Sequence, residues 1–158
     1  MKKVVLAGLL MFSALNADIF LKGDKQIGIA VGAGSGYGSN YTIVGLSGYY
    51  FPLDGLSVGL GYRGWFGNDP SIHEVDLPVT YYIPVHPKFR PYAGAFYRRT
   101  FVESPYDDYN TYGGRVGVAM RLNANSYISA GWVQEYYGND KFGDSSNGYP
   151  ELAVGFSF

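Results

Sequence analysis

The stretch ELAVGFSF (Glu151–Phe158) sets Leu152, Val154, Phe156 and Phe158 against Glu151, Ala153, Gly155 and Ser157. Every second residue is apolar, and the residues between are small or charged. That is the period of a β-strand with two unlike faces. A water-soluble protein gains little from a Phe on the last residue of such a strand. The fold therefore turns on what covers the apolar face.

Working back from Glu151, the same alternation recurs seven more times. QIGIAVGAG (26–34) puts Ile27, Ile29, Val31 and Ala33 on one face, and YTIVGLSGYYF (41–51) puts Val44, Leu46 and Tyr50 together. LSVGLGYRGWF (56–66) opposes Leu56, Val58, Leu60, Tyr62 and Phe66 to Ser57, Gly59, Gly61, Arg63 and Trp65. HEVDLPVTYYI (73–83), YGGRVGVAMRL (112–122) and YISAGWVQEYY (127–137) repeat the pattern. In FRPYAGAFYRRTF (89–101) either parity leaves Arg98 or Arg99 on the wrong side. After residue 17 no stretch approaches the roughly 20 apolar residues of a membrane-spanning helix, so a membrane form of this chain must be a closed barrel that satisfies its own backbone.

Three features choose between a soluble sandwich and such a barrel. The polar faces are poor solvent faces: Ser57-Gly59-Gly61, Gly113-Gly117-Ala119 and Ala153-Gly155-Ser157 are small, and a narrow eight-stranded interior fits many small residues with a few large ones. The charges among them balance, with Arg63, Arg115 and Arg121 opposite Glu74, Asp76, Glu135 and Glu151, so that buried charges can pair. Aromatics gather at strand ends as interfacial girdles do: Tyr49, Tyr50 and Phe51; Tyr62, Trp65 and Phe66; Tyr81 and Tyr82; Tyr136 and Tyr137. Links after the second, fourth and sixth strands (PLDG, PVHPK, NANS) read as short periplasmic turns. The others read as five- to eleven-residue outer loops. The expected fold is all-β: an eight-stranded antiparallel transmembrane β-barrel in an up-and-down meander.

The start of the chain reads differently. MKK, the twelve-residue apolar run Val4–Leu15 and the small Ala17 have the pattern of a secretory signal peptide, giving a leader over 1–17 and a barrel over 18–158. There is no cysteine, so neither a disulfide nor acylation on an N-terminal Cys is expected. Without Lys2 and Lys3 the chain has ten basic and thirteen acidic residues, a charge near −3 that argues against nucleic acid as a partner.

The final strand resembles that of Gram-negative outer-membrane proteins, which ends in Phe with apolar residues at every second position before it. The resemblance implies that Leu152, Val154, Phe156 and Phe158 form a signal for the barrel-assembly machinery. FRPYAGAFY (89–97) is similar to the Pro-Tyr-x-Gly-x run in the fifth strand of small eight-stranded outer-membrane barrels, the group of OmpX, the opacity-type proteins and the OmpA transmembrane domain. That group implies an outer-membrane location reached through the periplasm, with membrane lipid and lipopolysaccharide as neighbours. No OmpA-like peptidoglycan-binding domain is expected after Phe158.

Chemistry is weakly signalled. His73, with Asp69, Ser71 and Glu74 nearby, has the residue types of a nucleophile–base pair, and some outer-membrane barrels edit lipid A. The His-x-Ser pair of the lipid A deacylases is missing, however. His86 reads as a turn residue. Asp107, Asp108, Asp140 and Asp144 match no calcium loop, and GAGSGYG (32–38) reads as a strand end rather than a phosphate cradle. No catalytic residue, metal or cofactor is assigned. The expected role is structural or surface-interacting, with Arg63, Glu74, Asp76, Arg115, Arg121, Glu135 and Glu151 plugging the lumen. A narrow pore and a lipid A-modifying enzyme remain as alternatives. Tyr37, Tyr41, Tyr106, Tyr109 and Tyr149 are candidates for contacting an unidentified surface ligand or lipopolysaccharide sugars, and equally for the interfacial girdle.

Overall fold

A computed structural model describes residues 19–138 and 146–158. The leader segment 1–17, Asp140 and Asp144 lie outside the described residues. Eight strands follow in order: β1 (Lys25–Gly36), β2 (Ser39–Leu53), β3 (Leu56–Phe66), β4 (Ile72–Tyr82), β5 (Phe89–Val102), β6 (Tyr109–Arg121), β7 (Ser126–Tyr137) and β8 (Ser146–Ser157). Each pairs antiparallel with its sequence neighbours, and β8 returns to β1 to close the barrel. Closure runs from Gln26 opposite Ser157 to Gly32 opposite Glu151, so the strand containing Phe156 has no free edge.

The faces are inverted relative to a soluble protein. Leu60 is 59 % exposed and Leu152 58 %, whereas Arg98 is fully buried. Ile29, Val44, Leu46, Val58, Leu77, Val116 and Val118 join them in an apolar outer belt. In β5 the inward set is Tyr92, Phe96, Arg98 and Thr100, which turns Arg99 outward and resolves the parity.

Two expectations are corrected. The first concerns the links. β1 and β2 extend further than the alternation shows, leaving only Tyr37 and Gly38 between them, with φ of 51° and 77°. Positive φ at both central residues matches a tight hairpin turn, so this link is not a longer polar loop. The β4–β5 link spans 83–88, longer than the turn of four or five residues expected there.

The second concerns the aromatics. Neighbouring aromatics on a strand must take opposite faces. Tyr50, Tyr62, Phe66, Tyr81 and Tyr136 therefore point outward, while Phe51, Trp65 and Tyr82 are buried in the lumen. The few large residues expected among small ones in the lumen amount to two apolar layers. Near the odd-numbered links, hereafter the loop end, Tyr41, Ile43, Trp65, Ile72, Phe96, Val102, Val133 and Tyr149 form one apolar layer. At the terminus end Ile19, Phe20, Phe51, Tyr82, Tyr92, Ala119 and Tyr127 form another.

The segment before β1 helps build the second layer. The Phe20 ring stacks 4.3 Å from Tyr82 and lies 4.9 Å from Tyr127, while Gly55 N–H donates to the Phe20 carbonyl at 2.7 Å. Small residues make room for these rings: a Cβ at Gly155 would strike the Tyr127 ring, and one at Gly131 the Tyr92 hydroxyl.

Replacing Leu60 with Arg puts a charge on the outer belt and should lower the unfolding free energy in lipid vesicles by about 2–4 kcal/mol if the site lies near the bilayer midplane. Denaturant titration of the vesicle-inserted protein measures this. An unchanged midpoint would place Leu60 outside the hydrocarbon.

Candidate functional site

Above the terminus-end layer lies a set of buried charges, interleaved on β5 and β7 with Phe96 and Val133 of the loop-end layer. Arg63 on β3, Glu74 and Asp76 on β4, Arg98 on β5, Arg115 on β6, Glu135 on β7 and Glu151 on β8 are all buried. Strand alternation aims each inward, and the staggered register brings them to neighbouring heights.

Two chains of ion pairs result. In one, Arg63 Nε lies 3.7 Å from Asp76 Oδ1 and Arg63 Nη2 3.5 Å from Glu151 Oε2, and Arg115 Nη2 donates to Glu151 Oε1 at 2.6 Å. In the other, Arg98 Nε lies 3.6 Å from Glu74 Oε2, and Arg98 Nη1 donates to Glu135 Oε2 at 2.5 Å. Tyr149 links the chains: its hydroxyl accepts from Arg63 Nη1 at 2.8 Å and from Arg98 Nη1 at 3.2 Å. Thr100 Oγ1 donates to Glu74, and the Arg98 guanidinium sits 4.4 Å from the Phe96 ring centroid.

These contacts cross the lumen, joining β3 to β8, β6 to β8 and β5 to β7. The void beside Arg63, Arg115 and Glu151 is about 10 Å³, room for about one water. The charged set is thus a cross-brace.

Six of the seven charged residues expected in the lumen come together there. Arg121 does not. It ends β6 opposite Tyr127, half-buried at the terminus-end rim, with Nε donating to the Asn123 carbonyl at 2.9 Å. Arg98 is the member that alternation alone missed; the adjacent pair Arg98-Arg99 was its one signal, because one of the two had to face inward.

The residues around His73 do not converge. His73 faces outward, its Nδ1 2.6 Å from the Tyr62 hydroxyl, while Glu74 is buried in the lumen. Asp69 receives the Tyr41 hydroxyl on its backbone carbonyl, and the Ser71 backbone N–H donates to Glu103. His86 Nδ1 accepts from the Lys88 backbone N–H within its turn. Asp108 accepts from Val102 N–H and pairs with Arg99 at 3.6 Å. Among the described residues no group of three or more His, Asp or Glu side chains is arranged to hold a metal ion. Of the candidate contact tyrosines, Tyr41 and Tyr149 are buried, and Tyr37 and Tyr109 pack against the loop-end layer. Tyr106 is exposed, with its ring 4.4 Å from that of Tyr37.

The closed barrel superposes on the N-terminal β-barrel domain of Pseudomonas aeruginosa OprF with a TM-score of 0.69, covering 87 % of this chain and 98 % of that one at 19 % identity. The fold is that of the small outer-membrane β-barrels. Neisserial surface protein A matches this barrel with a TM-score of 0.65 at 17 % identity, covering 85 % of this chain and 96 % of that one. A de novo designed transmembrane β-barrel matches at 0.63 with 15 % identity, covering 87 % and 97 %. The designed chain shows that the likeness reports barrel geometry and carries no role with it. No protein-family model matches the sequence. No curated protein matches it either.

Arg98→Met should destabilise the barrel by about 3–5 kcal/mol, because Glu74 and Glu135 would keep their burial without a counter-charge. Arg121→Met, at the rim, should cost less than about 1 kcal/mol. Denaturant titrations of both variants in vesicles compare them directly; equal losses would contradict the assignment of Arg98 to the brace and Arg121 to the rim.

Proposed function

We propose that the protein is an integral outer-membrane barrel with a sealed lumen and a structural or surface-interaction role. The loop end faces outward and the terminus end faces the periplasm. The carrying observation is the lumen itself: apolar side chains and ion-paired charges fill it, and the void beside Arg63, Arg115 and Glu151 holds about one water. An eight-stranded barrel has little interior to spare, and this one is spent on side chains. That supports the sealed reading over a narrow pore. The separation of outward His73 from buried Glu74 supports a non-enzymatic role over lipid A modification.

Leu152, Phe156 and Phe158 face outward on β8, with Val154 half-buried in the same row. In this reading the row serves twice: the barrel-assembly machinery recognises it before closure, and membrane lipid covers it afterwards. Phe158→Ser should reduce the amount assembled in the outer membrane of cells while leaving the stability of barrels refolded in vesicles within about 1 kcal/mol, since an end residue buries little. Equal assembly of the variant and the parent protein would remove the signal role.

Planar-bilayer recording tests the seal. The inserted protein should give no discrete conductance steps, with folding verified by heat-dependent gel mobility. Reproducible steps abolished by Arg115→Ala would make the protein a pore and overturn this reading.

A further inference from the structure

The two ends of the barrel differ in charge. The terminus end carries Lys22, Lys25, Lys88, Arg90 and Arg121 against Asp24 and Asp54, whereas the described loop end carries Asp69, Glu103, Asp107 and Asp108 against Arg99. The terminal acids are engaged: Asp24 accepts from the Gln26 amide, the Phe20 N–H and the Ser157 hydroxyl, and Asp54 accepts from Lys22 N–H.

On one side of this basic end the β4–β5 link and the ends of β5 and β6 enclose an open cleft of about 290 Å³. Pro84, Val85, His86, Pro87, Arg90 and Arg121 line it, with no carboxylate among them. Its backbone is pinned on both sides. Ile83 N–H donates to the Pro91 carbonyl and Arg121 N–H to that of Lys88, each at 2.8 Å, and two prolines stiffen the link. Arg90 is held with its guanidinium 5.2 Å from the Phe20 ring centroid, and Arg121 is anchored through its Nε.

We propose that this cleft binds the phosphate of an anionic phospholipid headgroup in the leaflet surrounding the terminus end. Two guanidinium groups on an apolar, pinned frame suit a phosphate oxyanion, which they bind through forked, charge-assisted hydrogen bonds. The source is a lipid because the cleft opens at the rim of an apolar wall. Phe89, Leu122 and Ile83, next in sequence to Arg90, Arg121 and Pro84, alternate to the outward face of that rim and are exposed, at 44 %, 54 % and 40 %. A lipid whose headgroup reaches over the rim uses both features, phosphate in the cleft and acyl chain on Ile83, Phe89 and Leu122. A free anion uses only the first. This proposal rests on the membrane-spanning reading of the barrel.

Native mass spectrometry of the folded barrel, offered equal amounts of phosphatidylglycerol and phosphatidylcholine, tests the site. The parent protein should retain the anionic lipid over the neutral one by roughly tenfold, given two charge-assisted contacts. Combined Arg90→Gln and Arg121→Gln should bring the ratio close to unity. Lys25→Gln, on β1 across the same end, should leave it unchanged. Arg121→Gln alone gives the same comparison, with a smaller drop, should the double variant fold poorly. Equal retention by the parent protein overturns the site, and so does a loss with Lys25→Gln as large as with the double variant. Displacement of the lipid by millimolar inorganic phosphate would replace the lipid with a free anion as the ligand. Insertion into phosphatidylcholine vesicles separates the two readings. A barrel that inserts without lipid preference loses only the cleft, whereas a chain that never inserts loses the membrane reading as well.

Discussion

Everything in this molecule depends on the pairing of β8 with β1. A sheet in hydrocarbon cannot leave backbone N–H and C=O groups at an edge, because no water is there to bond them. Closing the ring removes both edges at once. Closure also divides every strand into an outer and an inner row, and the two rows meet different solvents. The outer row became Ile, Leu, Val and aromatic side chains. The inner row is confined to a narrow tube that side chains must fill.

That confinement accounts for the layered lumen. Large rings from Tyr92, Tyr127, Phe51 and Tyr82 occupy the terminus end, and inward glycines on neighbouring strands leave the space they need. Charges are tolerated in the lumen only because Arg63, Arg98 and Arg115 each meet carboxylates. Such a brace is weak evidence for stability, since an apolar core of the same volume often does as well. Its contribution is specificity. Ion pairs that join β3, β5 and β6 to partners on β4, β7 and β8 penalise a shifted register, because one residue of slip would turn each charge to the lipid.

Much of this was legible from alternation alone. Period two locates eight strands and separates Leu60 from Arg63 or Leu152 from Glu151, because the face of a residue depends only on parity. Parity says nothing about height. Arg121 and Arg115 share an inward row, yet one reaches the brace and the other stops at the rim. Adjacent aromatics hid the plugs in the same way: Tyr81-Tyr82 and Tyr50-Phe51 read as girdle pairs, but one of each pair had to turn inward. The tight turn at Tyr37-Gly38 was obscured by a run of small residues that suit strand and loop equally well. The role of Ile19 and Phe20 carried no periodic signal, since they precede the first strand and are buried through contacts such as those of the Phe20 ring with Tyr82 and Tyr127.

An inside-out barrel closed by its last strand sets lipid against Leu152 and keeps Glu151 in the polar interior. NMR of the protein in lipid nanodiscs distinguishes this arrangement from any other. Backbone contacts between Ile29 and Val154 are expected, with slow amide exchange along β1 and β8, and acyl-chain contacts to the Leu152 side chain but none to Glu151 or Arg115. Fast exchange along β8, or acyl-chain contacts at Glu151, would contradict it.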